Sequence, residues 1–117
     1  MRIVIIEDEA VVARRIERLA RRILGAKLER VDFAATLAAA VELVERLDDA
    51  AVLLDLNLGG EDGFELLRRA AAEPFQTIVI SANTDRAVEA FDLGIVDFVA
   101  KPFTEERLAK AFARLAS

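Results

Sequence analysis

Glu7, Asp8, Asp55, Ser81 and Lys101 are the side chains whose types and placement offer chemistry in a chain of 117 residues that contains no Cys and no His. Their absence excludes disulfides, thiolate metal sites, Cys nucleophiles, Ser-His triads, His-ligated zinc and a phosphohistidine on this chain. What remains is the chemistry of carboxylates, hydroxyls, amides and ammonium groups. Each candidate ends an apolar run: Glu7-Asp8 after "RIVII", Asp55 after "AVLL", Ser81 after "TIVI" and Lys101 after "VDFVA". Brought to one place, three carboxylates about 4 Å apart would repel by roughly 4 kcal/mol per pair at an effective dielectric of about 20, so such a cluster calls for a cation. Hard oxygen ligands without imidazole or thiolate suit Mg²⁺, which keeps several waters and shares phosphate oxygens. Lys101 adds a positive charge opposite the same site. A pocket of that composition stabilises a phosphoryl group in transfer, with Asp55 as nucleophile and an aspartyl phosphate as product.

Taken singly, each residue has a plainer reading. Glu7, Asp8 and Glu9 are acids where a helix macrodipole favours them. Asp55 begins "DLNLGG", and Asp followed by Asn and Gly is turn chemistry. Ser81 is a loop or capping hydroxyl, and Lys101 a solvated lysine. The combination carries the argument, and it depends on elements that bring the strand ends together.

Apolar runs of strand length, predicted over Arg2–Ile6, Leu28–Ala34, Ala51–Leu54, Thr77–Ile80 and Val96–Ala100, alternate with segments of helical period. The helices are predicted over Glu9–Leu24, Leu37–Leu47, Gly63–Ala72, Asp85–Leu93 and Glu105–Leu115. In the first, Val12, Ile16, Leu19 and Ile23 form one stripe. Several strands are apolar almost throughout, as strands covered on both faces should be. Gly25 reads as a C-terminal helix cap, and Thr84 and Thr104 as N-caps. The pattern predicts a single α/β domain, a doubly wound (βα)5 sandwich around a five-stranded parallel sheet. Ligands of such sheets bind beyond the carboxyl ends of the strands, where all five candidate residues fall.

With 55% hydrophobic and 32% charged residues, the chain can bury a core beneath a polar surface. The formal net charge of −5 argues against direct nucleic-acid binding by this domain. No apolar run approaches the roughly 20 residues of a membrane span, and the start lacks the zones of a signal peptide, so a cytoplasmic location is expected. Arg14, Arg15, Arg18, Arg21 and Arg22 make the first helix basic on its polar side, which a solvated face explains better than a docking role.

The motifs "IVIIEDE", "LLDLNLGGEDG", "VISA" and "DFVAKPF" occur in order across essentially the whole chain. In these the chain resembles the receiver domain of bacterial two-component response regulators, a flavodoxin-like fold with strand order 2-1-3-4-5. The resemblance implies that Glu7 and Asp8 are the acidic Mg²⁺ pair and Asp55 the phosphoacceptor, with the Asn57 backbone carbonyl as a further metal ligand. It likewise implies that Ser81 is the switch hydroxyl, Lys101 the lysine that bonds the phosphoryl group, Phe98 the switch aromatic, and the peptide before Pro102 cis. The implied partner is a histidine kinase or histidine phosphotransfer protein, with homodimerisation through helix 4, strand 5 and helix 5 a further expectation.

There are departures from the family pattern. The acidic pair is Glu-Asp rather than Asp-Asp, Gly59 stands where many relatives have Pro, and Phe98 replaces the frequent Tyr. The run "SANTDRAVEAFDLGIVDFVAKPF" is most similar to receivers attached to LytTR-type DNA-binding domains, so the chain is expected to be a stand-alone receiver or one excised from a longer protein. Two rivals stand beside this reading. One is a pseudoreceiver that only binds partners, which would fail to bind Mg²⁺. The other is a haloacid-dehalogenase-type phosphatase, which places its nucleophile on the first strand with an acid two residues later, whereas here Asn57 holds that position.

Overall fold

The computed structural model describes residues 1–47, 49–70 and 75–116. Five parallel strands, β1 (Arg2–Ile6), β2 (Arg30–Ala34), β3 (Ala51–Leu54), β4 (Gln76–Ser81) and β5 (Asp97–Ala100), form one sheet in the order β2-β1-β3-β4-β5. Five helices alternate with them: α1 (Ala10–Leu24), α2 (Leu37–Val44), α3 (Phe64–Ala70), α4 (Ala87–Asp92) and α5 (Glu105–Ala113). This is the flavodoxin-like arrangement expected from the sequence.

Successive strand side chains point to opposite faces, and each face has its own core. Ile3, Ile5, Leu53, Ile78, Ile80 and Val99 pack with Ala13, Ile16, Leu19, Leu108 and Phe112 of α1 and α5. The alternate residues Val4, Ile6, Val52, Leu54, Val79 and Phe98 pack with Ala40, Val44, Leu66, Leu67 and Ala90 of α2, α3 and α4. An apolar residue at every position of β1 and β3 after Arg2 is therefore what a sheet covered on both sides requires.

The parallel ladder runs one bond past the strands. Glu7 N–H donates to Ala34 O (3.0 Å), Asp55 N–H to Ile6 O (2.9 Å) and Lys101 N–H to Ser81 O (3.0 Å). These bonds fix the backbones of three site residues at the carboxyl edge of the sheet.

Several element ends differ from expectation. Gly25 caps α1 with φ 55°, but a 3₁₀ turn over Gly25–Lys27 delays β2 to Arg30, two residues beyond the predicted start. α2 ends at Val44 rather than Leu47, because Arg46 and Leu47 donate to carbonyls three residues back instead of four. Thr84 is not an N-cap. It opens a 3₁₀ turn (Thr84–Arg86), and α4 follows from Ala87 without a side-chain cap. Thr104 does cap α5, its Oγ accepting from Arg107 N–H at 3.1 Å. The predicted end of the third helix at Ala72 lies outside the described residues.

After Asp55 the chain forms a two-residue ribbon, Asn57–Leu58 against Glu61–Asp62, closed by Gly59 and Gly60. Their φ values of 59° and 89° are the positive pair that a tight hairpin turn demands. Gly63 has a different constraint. A Cβ there would lie 2.8 Å from the Asp55 carbonyl oxygen and 2.9 Å from Leu56 Cα, both backbone atoms that cannot swing away. Gly63→Ala is expected to lower stability by roughly 1–3 kcal/mol, as overpacking does. An unfolding midpoint equal to that of the parent would contradict this.

Candidate functional site

The carboxyl edge of β1 and β3 gathers Glu7, Asp8 and Asp55, each offering an oxygen within 4.8 Å of the others. Glu7 and Asp55 are buried, 4% and 7% exposed, whereas Asp8 faces outward. Backbone amides hold all three. Glu9 N–H donates to Glu7 Oε2 (3.3 Å), Gly59 N–H to Asp8 Oδ2 (3.0 Å) and Asn57 N–H to Asp55 Oδ1 (3.1 Å). The glycine turn thus does more than reverse the chain, because it aims an amide at the exposed member of the cluster. Asn57 turns its side chain inward on the same loop, its Oδ1 accepting from Gly60 N–H at 3.2 Å.

Lys101 arrives from the end of β5 and bridges two of the acids. Its Nζ lies 2.5 Å from Glu7 Oε1 and 3.0 Å from Asp55 Oδ2. Burial works against the ammonium charge, but the two carboxylates outweigh it and hold the Lys101 pKa above its ordinary value. Burial dominates at Glu7, and with the neighbouring Asp55 charge it pushes that carboxyl up to about 7 despite Lys101. Glu7 contacts the lysine and a backbone amide directly. Lys101 thus bridges two acids of one cluster, of which Glu7 is half neutral near pH 7.

Ser81 is 1% exposed at the end of β4, and its Oγ accepts from Asn83 N–H at 3.1 Å. Phe98 is buried on β5 in the same core cluster as Ala90 of α4 and Ile95. The Lys101-Pro102 peptide is cis. The fold therefore brings Glu7, Asp8, Asp55 and Lys101 into one contact network, sets Asn57 and Ser81 on the loop and strand beside it, and keeps Phe98 in the core.

The family model for the response regulator receiver domain matches residues 3–113. The chain belongs to that family. This receiver is 32% identical over 114 residues to the sensory transduction protein LytR of Staphylococcus saprophyticus, covering 95% of this chain and 44% of the relative. It spans 30–52% of the length of the first curated relatives it matches. Among solved structures, the response regulatory domain of the protein mrkE from Klebsiella pneumoniae superposes with a TM-score of 0.86 at 25% identity, covering 98% of this chain and 94% of that one. The receiver domain of the sensor histidine kinase PA1611 from Pseudomonas aeruginosa has a TM-score of 0.77 at 27% identity, covering 97% and 94%, and that protein holds a magnesium ion in its active-site cleft.

The receiver also contains side-chain clusters that sequence reasoning did not single out. Asp97, 1% exposed at the start of β5, accepts from Arg107 Nη1 (2.7 Å) and Nη2 (2.9 Å), and Arg114 Nη1 stands 3.1 Å away. Arg107 also donates to Phe98 O at 3.0 Å, so α5 is clamped to β5 at the aromatic itself. Burial opposes the Asp97 charge, but the Arg107 guanidinium and the Phe98 N–H outweigh it and hold the carboxyl below its ordinary range. The available signal was an acid inside the apolar run "IVDFVA". A second cluster joins Arg86 to Asp62 at 2.8 Å and stacks its guanidinium 3.8 Å from the centre of the Phe64 ring. Arg15 donates to Phe103 O at 3.1 Å, so one arginine of the basic α1 face serves packing.

Proposed function

We propose that this receiver takes a phosphoryl group onto Asp55 from the phosphohistidine of a histidine kinase or histidine phosphotransfer protein and acts in the cytoplasm. One observation carries the reading: a buried aspartate at the strand edge has one oxygen on a backbone amide and the other on Lys101, with Glu7 and Asp8 beside it. An oxygen–phosphorus bond forms at Asp55 as the donor's nitrogen–phosphorus bond breaks. Lys101 neutralises the growing charge, and the rigid strand β3 holds the nucleophile in line.

The donor set suits Mg²⁺, being all oxygen and rich in charge. Asp8, Asp55 and the Asn57 carbonyl would hold it, with Glu7 in support. When bound it would supply the remaining positive charge for the phosphoryl oxygens. Because the Glu7 pKa is raised to about 7, metal and proton compete for the cluster. Mg²⁺ affinity is therefore expected to tighten as pH rises from about 6 to about 8. A flat affinity over that range, measured by calorimetry, would contradict the assignment of Glu7.

Phosphorylation adds about −1.5 to −2 of charge and three acceptor oxygens. Ser81 would give up Asn83 N–H to reach them, and Phe98 would follow into the space it leaves. That shift biases the face of α4, β5 and α5 between two packings. Val88 and Phe91 of α4, 75% and 46% exposed, support a docking role for this face, for a second copy or another partner. The test is incubation with a small phosphodonor, with Mg²⁺ or with a chelator, followed by intact mass. One phosphoryl group should be added, and only with Mg²⁺. Steady turnover of a phosphoester without a labelled chain would point to a phosphatase, and failure to bind Mg²⁺ to a pseudoreceiver.

A further inference from the structure

The loops that follow Asp55 and Ser81 leave adjacent strands, since Leu54 pairs with Val79 in the β3–β4 ladder. They carry the groups that have to move relative to one another. The loop after β3 ends in Asp62, whose Oδ1 accepts from Phe64 N–H at 3.0 Å and so is fixed to the start of α3. The loop after β4 ends in Arg86, which donates Nη1 to that same Oδ1 at 2.8 Å. The Arg86 guanidinium also lies over the Phe64 ring, 3.8 Å from its centre, and Phe64 is 0% exposed and anchored in the core. Arg86 is 27% exposed and Asp62 52%, so the stack on Phe64 is the better shielded of the two contacts. The guanidinium beside it holds the Asp62 carboxyl below the ordinary range.

The result is a closed ring of contacts, from Asp55 through its loop to Asp62, across to Arg86, and back through the second loop to Ser81. Within it the Ser81 hydroxyl accepts from Asn83 N–H, three residues before Arg86. The loop is therefore held at both ends, by Ser81 at its start and by Arg86 at its finish. We propose that Arg86 is a positioning residue that pins the β4–α4 loop to the β3–α3 loop and restrains Ser81 from turning toward Asp55. The inference rests on Asp55 being the phosphoacceptor. Arg86 touches neither the reacting atoms nor the carboxylate cluster; it acts through the loop. To face Asp55 the Ser81 hydroxyl must give up Asn83 N–H, and the contacts of Arg86 to Asp62 and Phe64, which hold the turn Thr84–Arg86 in place, favour the arrangement that keeps that bond. A contact made in one packing and weakened in the other shifts the balance between them by its own strength.

The experiment compares labelling rates with a small phosphodonor and Mg²⁺ for the parent, Arg86→Gln, Asp62→Asn and the double variant. Asp62→Asn keeps the Oδ1 that accepts from Phe64 N–H and removes the charge 2.8 Å from Arg86 on the facing loop, leaving Glu89 of α4 3.9 Å from the guanidinium. Arg86→Gln is expected to gain a phosphoryl group roughly threefold to tenfold faster, the range that one shielded stack with an ion pair supports, and Asp62→Asn, which leaves the stack on Phe64, to gain it faster than the parent by a smaller factor. The double variant should be no faster than the faster single one, since both remove the same restraint. Mg²⁺ affinity of the unlabelled protein should stay within about twofold of the parent, because none of the three carboxylates is altered. Arg86→Lys, which keeps the charge but loses the planar guanidinium over the ring, should fall between parent and Arg86→Gln. Unchanged or slower labelling, a multiplicative double variant, or rates that track Mg²⁺ affinity would overturn the inference while leaving the function of Asp55 intact. A parent chain that takes no label would overturn both.

Discussion

Lys101→Met is expected to slow labelling of Asp55 by roughly 100-fold to 1000-fold, the loss seen when one preorganised charge donor is removed from a developing anion. Its ammonium lies 3.0 Å from Asp55 Oδ2 and 2.5 Å from Glu7 Oε1, so it is in place before any phosphoryl group arrives. Methionine keeps the length of the side chain and removes the charge. Glu7 then faces Asp55 without a cation between them and climbs further above the value of about 7 it has beside the lysine. The same logic gives a pH signature. A carboxyl whose folded pKa exceeds its unfolded value of 4.5 contributes stability that is complete below that value and is lost as pH rises through the folded pKa. In Lys101→Met the loss extends to higher pH, so the variant should be more destabilised relative to the parent at about pH 8 than at about pH 6. Initial labelling rates and unfolding curves at the two pH values check both halves. A variant as fast as the parent, or a stability difference equal at both pH values, would contradict the role given to Lys101.

Arg107→Ala should be the most destabilising single change outside the apolar core, at roughly 3 kcal/mol, or about 10 °C in unfolding midpoint. It leaves the Asp97 carboxylate, 1% exposed, with Arg114 as its remaining cation. Asp97→Asn should cost less, roughly 1–2 kcal/mol. The difference lies in which partner is buried: the Arg107 and Arg114 side chains are 34% and 58% exposed and can turn to water, whereas Asp97 cannot. The Asp97 pKa lies below its ordinary value of 3.8, so its contribution is present above that pH and is lost as pH falls through the folded value. Arg107→Ala should accordingly flatten the acid limb of the stability curve below about pH 4. Equal losses from the two substitutions would show that the buried carboxylate is not what sets the cost.

The elements were legible because their signals are local. Runs such as "RIVII" and "AVLL" are apolar on both faces, and a doubly covered parallel sheet is what buries both. Once the strands were known to be parallel, the residues that end them had to share an edge, which is why Glu7, Asp8, Asp55 and Lys101 could be grouped although Glu7 and Lys101 are 94 residues apart. The links made through helix orientation were not legible. Asp97 meets Arg107 only because α5 packs back along β5, and Arg86 meets Asp62 only because two loops leave neighbouring strands. Thr84 misled for a related reason: a threonine before a helical pattern reads as a cap, but the chain first makes a 3₁₀ turn, and its hydroxyl has no helix to cap. Gly63 carries no sequence signal of its own, since its need for a bare Cα arises from how closely the chain folds back on the Asp55 carbonyl.

The central claim is that Asp55 is the residue that accepts the phosphoryl group. Intact mass after incubation with a small phosphodonor and Mg²⁺, run in parallel on the parent and on Asp55→Asn, tests it most directly. The parent should gain one phosphoryl group and Asp55→Asn none, with Mg²⁺ binding by the variant measured alongside to show that the fold and the remaining ligands persist. A phosphoryl group that still appears on Asp55→Asn, at the rate seen for the parent, would contradict the account.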